Sequence, residues 1–261
     1  SLILAAVCLA FLLYVDKFQH YSMLASVLKK GAIYSLVAVS LNLLNGFTGL
    51  FSLGQAGFML LGAYAYAIFM IPDAARDSVY YLFEGSSIHF SFQEMFQHLF
   101  GATGFGGGVS LVLGVLVAII FAGLIAAFFA YLIGLPVLRL KSDYLAIATL
   151  GFAEIIRVVM LNIDNVLGFE LTGGAKGLTG IPKYTSFLDT FVVVAIVIFL
   201  IHTFMKSRHG RAVLAIRDNE IAAESCGIQT TYYKVMAFAF SAAFAGLAGG
   251  LYACYLGVLD P

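Results

Sequence analysis

Apolar runs alternate with short polar interruptions along almost the whole chain, and the runs are the first guide to its elements. They cover residues 2–15, 31–72, 109–134, 144–162, 187–205 and 235–259. A membrane-crossing helix needs about 20 apolar residues. The first run, 14 residues long, falls short of that, while 31–72 holds 42 residues without a charge and is too long for one crossing. That long run must turn back or break. The break is written in Asn45, Gly46, Thr48, Gly49, Ser52, Gly54 and Gln55, where glycines and short polar side chains compete with helical hydrogen bonds. Two readings stay open: a tight hairpin between two spans, or a discontinuous helix whose unwound centre lines a cavity at membrane depth.

Between the runs lie three larger loops. Residues 73–108 carry Asp73, Arg76, Asp77, Glu84 and Glu94 and end in a glycine-rich stretch, with a short amphipathic helix expected over Phe92–Phe100. Leu135-Pro136 marks the end of the next span, and a basic turn follows with Arg139 and Lys141. Residues 163–186 are too rich in glycine for regular helix, and 207–234 form the most charged segment of the chain. In the last run Ala242, Gly246 and Gly250 recur every fourth residue, as do Ala245, Gly249 and Ala253; two such stripes without bulk let helices approach closely in a membrane.

Composition turns this pattern into a class. The chain is 62% hydrophobic and 11% charged, with a mean hydropathy of +0.99, where soluble proteins carry about 25% charged residues. It reads as an all-α, polytopic transmembrane bundle of about six spans. A formal net charge of zero excludes the clustered basic face of a nucleic-acid binder. Cys8, Cys226 and Cys254 have no metal-ligand spacing, and no disulfide is expected. The five histidines share no helix face, so no metal site follows. No Ser/His/Asp, HExxH or paired-carboxylate constellation suggests an enzyme. The short first run has neither the basic start nor the cleavage site of a signal peptide, and the chain is expected to be truncated at both ends.

Lysine and arginine counts in short loops give the orientation. Residues 206–234 hold five of the 14, and Arg139 and Lys141 two more, which places both loops in the cytoplasm. Residues 73–108 and 163–186 then lie outside. Lys29 and Lys30 disagree if 31–72 is two spans, because the loop before it would also lie outside.

The charged loop has its own local grammar. A short helix over 211–217 carries Val213, Leu214 and Ile216, and Asp218 or Asn219 supplies an N-cap oxygen to a second helix. Glu220 and Glu224 favour the positive start of that helix, and Gly227 fits the left-handed residue after its end. About two turns of helix are too short to be stable alone, so it either rests on a partner or is an ordinary solvated loop. Glu154 and Arg157, three residues apart inside the span 144–162, read as an intramembrane ion pair that fixes helix packing.

Four separated strings resemble a known family. Gly210-Arg211, Ala215 to Glu220, Ala222-Ala223-Glu224 and Gly227-Ile228, followed by Tyr233-Lys234, are similar to the cytoplasmic Glu-Ala-Ala…Gly loop of the permeases of branched-chain amino acid (high-affinity LIV) ABC importers. Asn42 to Tyr64, Ser142 to Arg157, and Thr172 to Pro182 match in the same order. The likeness covers nearly everything from about Ala32, departing at 73–108, which is longer than expected.

The resemblance implies that the whole chain is one permease domain of the bacterial cytoplasmic (inner) membrane. The loop 219–227, with Arg217, Asp218, Asn219, Glu220, Ala222, Ala223, Glu224 and Gly227, would be the coupling helix that docks on a separate ATPase subunit. No GxxxxGK[ST] stretch is present, so ATP and Mg are expected on partner subunits, with no cofactor bound by this chain. Asn42, Asn45, Thr48, Ser52 and Gln55 would line the path, walled by Phe47, Phe51 and Phe58, unless the break is a hairpin whose glycines serve packing. Residues 172–182 would gate the outer mouth or touch an extracytoplasmic solute-binding protein, or form a plain loop. The expected partners are ABC ATPase subunits, a second permease subunit, that binding protein and membrane lipid, with no nucleic acid. The transported solute is then a branched-chain or other small apolar amino acid; urea, amides or another small solute, or an ion-coupled secondary transporter, are the alternatives.

Overall fold

The structure, a computed structural model, describes residues 22–72, 76, 79, 91–100, 104–138, 140, 142–169, 171–181, 183 and 187–260. The first apolar run and most of 73–90 lie outside the described residues. Among the described residues five helices are long and apolar enough to cross a membrane, and a sixth apolar helix, Gln55–Met70, is shorter.

Helix α1 (Ser22–Asn42) starts nine residues before the uncharged run, so Lys29 and Lys30 sit on it rather than in a preceding loop. Lysine is a good helix former whose alkyl stem carries the charge outward, and the Lys30 ammonium lies 5.8 Å from the centre of the Tyr34 ring. The last turn of α1 widens to π geometry over Leu43–Phe47. The chain then reverses through 48–54, with Gly49 in the left-handed region at φ +71°, and α2 (Gln55–Met70) follows. Its end is held by Arg76, whose Nε donates to the Ile71 carbonyl at 3.2 Å.

Further along the chain, α3 (Phe92–Phe100) forms where the sequence predicts it and packs Phe92 on Phe69 and Phe121. Helix α4 (Gly104–Val137) begins inside the glycine run and ends two residues beyond Leu135. A proline in the last turn forfeits only one hydrogen bond, so the helix runs through Pro136 instead of stopping before it. Helix α5 (Ser142–Leu167) also outruns its expected end at 162 and stops at Gly168, which adopts φ +75°. After a single turn over Gly174–Lys176, strand β1 (Leu178–Thr179) pairs antiparallel with β2 (Val258–Leu259), a link between the loop 171–181 and the end of the last helix. Helices α6 (Phe187–Lys206), α7 (Arg208–Asp218), α8 (Glu220–Ser225) and α9 (Thr230–Leu256) complete the order.

The bundle is built around α9. Both of its small-residue stripes are occupied: a Cβ on Gly249 would run into the Met59 carbonyl oxygen and lie 2.9 Å from the Ala63 nitrogen, and one on Gly246 would meet Ala126 of α4. Gly62 of α2 abuts the backbone of Gly246 directly. Tyr64 and Tyr66 are fully enclosed on the same α2. The direction of each helix follows from its level on α9. Near the middle of α9, Ser241 donates to the Ser40 carbonyl at 2.6 Å and accepts from the Gln55 amide. Near its end, Tyr255 donates to the Ser26 carbonyl and Gly250 packs against Tyr66. So α1 runs antiparallel to α9, α2 runs parallel to it, and the long uncharged run is a hairpin. The turn 43–54, the end of α4, the start of α5 and the corner α7–α8 share one end of the bundle. The two strands, α3 and the glycine loop after α5 share the other.

Candidate functional site

At the first end, the corner between α6 and α9 is assembled from local caps. Ser207 Oγ donates to the Phe204 carbonyl at 2.6 Å and accepts from Gly210 N at 3.3 Å. That cap starts α7 three residues ahead of the predicted 211, and Gly210 is pressed against Met205 where no side chain fits. Val213 and Ile216 are the buried face of α7. Asn219 then breaks the helix with extended backbone and caps α8, its Oδ1 accepting from Ala222 N at 3.1 Å. Gly227 N donates to Glu224 O at 2.9 Å and Ile228 N to Ala223 O at 3.1 Å, a Schellman closure with Gly227 at φ +82°. Helix α8 is thus six residues long, with only Ala223 buried and Ile221 77% exposed.

Side chains fasten this corner at three points. Glu220 pairs with Lys234 of α9, and Glu224 Oε1 accepts from Thr230 Oγ1 at 2.6 Å. Arg217 reaches across the sequence: its Nη1 donates to the Gly46 carbonyl at 3.0 Å, its stem lies against Gly49, and its other nitrogens contact Asp218 Oδ1. A cleft of about 760 Å³ between the corner and the hairpin turn is bordered by Thr48, Gly49, Arg217, Glu220, Glu224 and Lys234. The sequence singled out Arg217 but not its partner; a link across 171 residues leaves no local pattern.

The polar residues of the break mostly hold the hairpin together. Thr48 Oγ1 donates to Leu43 O at 3.0 Å, and Asn45 Oδ1 accepts from Ser52 N at 3.1 Å. Asn42, exposed, folds its amide over Gly46. Ser52 and Gln55 are buried, Ser52 accepting from Gly54 N and Gln55 donating to Ser241. Of the three phenylalanines, Phe58 is packed edge-on against Phe238 in the core, whereas Phe51 is half exposed. Thr149 went unnoticed in the sequence, yet its hydroxyl accepts from Leu53 N at 3.1 Å and ties α5 to the turn. Asp164 was missed as well: buried, it accepts from the backbone of Leu171 and Thr172 at 2.9 Å and from Thr172 Oγ1, fixing the glycine loop.

Glu154 and Arg157 do pair, at 3.2 Å. Their role as a clamp within the bundle is not what the geometry shows: both side chains are more than half exposed and lie on a groove of about 720 Å³ between α2 and α5. An i,i+3 pair on one helix holds no second helix. Among the described residues no cluster of His, Cys, Asp and Glu could hold a metal ion.

Comparison with known proteins places this apolar bundle in a class. The family model described as "Branched-chain amino acid transport system / permease component" matches residues 23–261. The high-affinity branched-chain amino acid transport system permease protein LivM of Salmonella typhimurium is 33% identical over 88% of this chain and 52% of its own length, and LivM of Escherichia coli matches equally. A probable branched-chain amino acid transport permease protein LivM from Methanocaldococcus jannaschii is 24% identical over 85% of this chain and 65% of its own length. No solved structure matches significantly. The chain is a multi-pass membrane protein and belongs to the family of branched-chain amino acid transport permease components. It spans about half the length of the curated Salmonella and Escherichia relatives it matches.

Proposed function

We propose that this chain forms part of the translocation path of an ABC importer for branched-chain or other small apolar amino acids in the bacterial cytoplasmic membrane. ATP and Mg act on separate ATPase subunits, a second permease subunit completes the path, and an extracytoplasmic solute-binding protein delivers the solute. The end carrying α7 and α8 faces the cytoplasm. There α8 docks on the ATPase, with Asn219, Glu220, Ala222, Ala223, Glu224 and Gly227 forming its capped body and Arg217 and Asp218 its hinge to the bundle.

The observation that carries this reading is the fastening of α8. Too short to fold by itself, it is capped at both ends, bonded to α9 through Glu220 and Glu224, and linked through Arg217 to the hairpin turn. Such a rigid corner passes displacement into packed helices. It also leaves Ile221 out for a partner to cover.

The test is uptake of labelled leucine by vesicles holding the full-length protein with its ATPase, permease and binding-protein partners. Removing 219–227, or changing Glu220 to Lys, is expected to abolish ATPase co-purification or cut uptake at least tenfold. Retained docking and uptake would refute the coupling role, and uptake without any ATPase subunit would refute the ABC mechanism. Leucine failing to bind the companion binding protein, with urea or an amide binding instead, would change the solute.

A further inference from the structure

The groove between α2 and α5 carries two features that the packing of this chain leaves unused. The first is the ion pair. Glu154 and Arg157 lie 12 and 15 residues into the 26-residue α5, about 18–23 Å along a helix about 39 Å long, near the middle of a span. Their side chains are 62% and 52% exposed. A charged pair at that depth is costly against lipid tails, so this face looks onto protein or water. The pair is joined by one hydrogen bond from Arg157 Nη1 to Glu154 Oε1, the only polar contact of these two side chains among the described residues. The rest of the guanidinium fork and the second carboxylate oxygen remain available.

The second feature is Gly151, one turn before Glu154 on the same face. A glycine inside a helix is unfavourable relative to alanine. The other glycines of this bundle that sit on helix contacts, such as Gly57 against Ala153, are filled by a neighbour; a Cβ on Gly151 would meet nothing within 4 Å. The open space beside it is bordered by Leu53 of the turn before α2, Leu60 of α2 and Leu150 of α5. An apolar trough with a cation and an anion side by side at its edge matches the charge distribution of one class of small molecule, the aliphatic α-amino acid zwitterion.

We propose that this groove is the wall of the path that contacts the solute: Arg157 takes the carboxylate, with the bidentate geometry a guanidinium favours, Glu154 takes the ammonium, and the aliphatic side chain lies along the trough beside Gly151. The pair opens to admit the zwitterion and closes behind it, so the charges stay neutralised throughout. This assignment rests on the amino-acid importer reading above.

The experiment uses the full-length protein assembled with its ATPase, second permease and binding protein in vesicles, with Cys8, Cys226 and Cys254 replaced and Gly151→Cys introduced. A small charged methanethiosulfonate reagent is expected to label Cys at that position, and leucine-loaded binding protein with ATP is expected to slow labelling at least fivefold. Arg157→Gln and Glu154→Gln are expected to lower kcat for leucine uptake at least tenfold with the ATPase still bound, Arg157→Lys to recover part of it, and the exchanged pair E154R/R157E to stay impaired, because the trough fixes which way the zwitterion lies. A labelling rate indifferent to leucine and ATP while uptake proceeds overturns the groove assignment alone. So does full recovery in the exchanged pair, which would mark a structural ion pair, or a spontaneous disulfide to the second permease subunit without loss of transport, which would mark a fixed subunit contact. Protection by a different solute in place of leucine overturns the zwitterion assignment together with the amino-acid reading.

Discussion

Helices α5 and α9 are nearly the same length and both apolar enough to cross a membrane, yet 67% of the best apolar window of α9 is buried inside this chain and only 22% of that of α5. The difference lies in what meets their small residues. Gly246 and Gly249 of α9's stripes have a neighbour's methyl group or backbone in the place of the missing side chain and Gly250 has neighbours at contact distance, whereas α5 touches the bundle along one edge, where Thr149 and Ala153 lie against Gly54 and Gly57. Its flank along the groove with α2 keeps Ile147, Leu150, Gly151 and the ion pair exposed. A glycine in a membrane helix therefore has no fixed meaning. In α9 it records a contact within this chain; at position 151 it leaves room for something that this chain does not contain.

The largest expected effect comes from filling the occupied side. Gly249→Val would drive two methyl groups into the Met59 carbonyl and the Ala63 nitrogen, where backbone cannot yield as a flexible side-chain end can. Overpacking of this kind typically costs about 1–3 kcal/mol and occasionally more; with backbone on the receiving side the loss is expected at or above about 3 kcal/mol. Size-exclusion of the detergent-solubilised protein after heating should show loss of the folded peak well below the wild-type midpoint. A wild-type profile would mean that α2 and α9 are not seated as described.

Next in size is the polar tie that sets the level of α1 and α2 on α9. Ser241→Ala removes the donor to Ser40 and leaves the Gln55 amide buried without its acceptor. Stranding a buried polar group costs about 1–3 kcal/mol. Changing Gln55 to Met in the same protein should recover part of that loss, since no amide is then left unpaired. If the double variant is as unstable as the two losses added together, the tie is not a shared one.

This tie also marks the limit of what the sequence discloses. The caps of the α7–α8 corner are legible because each acts within a few residues: Asn219 on Ala222, Gly227 closing on Glu224. The hairpin stayed undecided against a discontinuous helix because its deciding contacts join Ser40 and Gln55 to Ser241, 201 and 186 residues away. Helix ends drifted for a related reason. Lys29 and Lys30, Pro136 and the glycines at 104–108 are interruptions by local preference, but helices packed against a bundle run through them. The two-residue strands had no signal at all, since they exist only where Gly177 lets the Leu259 carbonyl come close. Spacing did give the pairing of Glu154 with Arg157. Their outward direction was invisible, because a charged pair inside a span faces protein or water without its spacing saying which.

The smallest effect is the sharpest test of the comparison, because its sign is opposite. Gly151→Ala adds a methyl group into open space on an exposed helix face, with no positive φ to oppose it. By narrowing the unfolded chain's choices it is expected to stabilise the isolated protein by about 0.4–1 kcal/mol, visible as a raised midpoint in the same heating assay. In the assembled importer the same methyl group intrudes on the proposed path, so uptake should fall while the heat stability rises. A substitution that stabilises the chain and leaves transport untouched would place the solute's path elsewhere. One that destabilises the isolated chain would mean that α5 is buried against its own bundle after all, and the contrast with α9 would vanish.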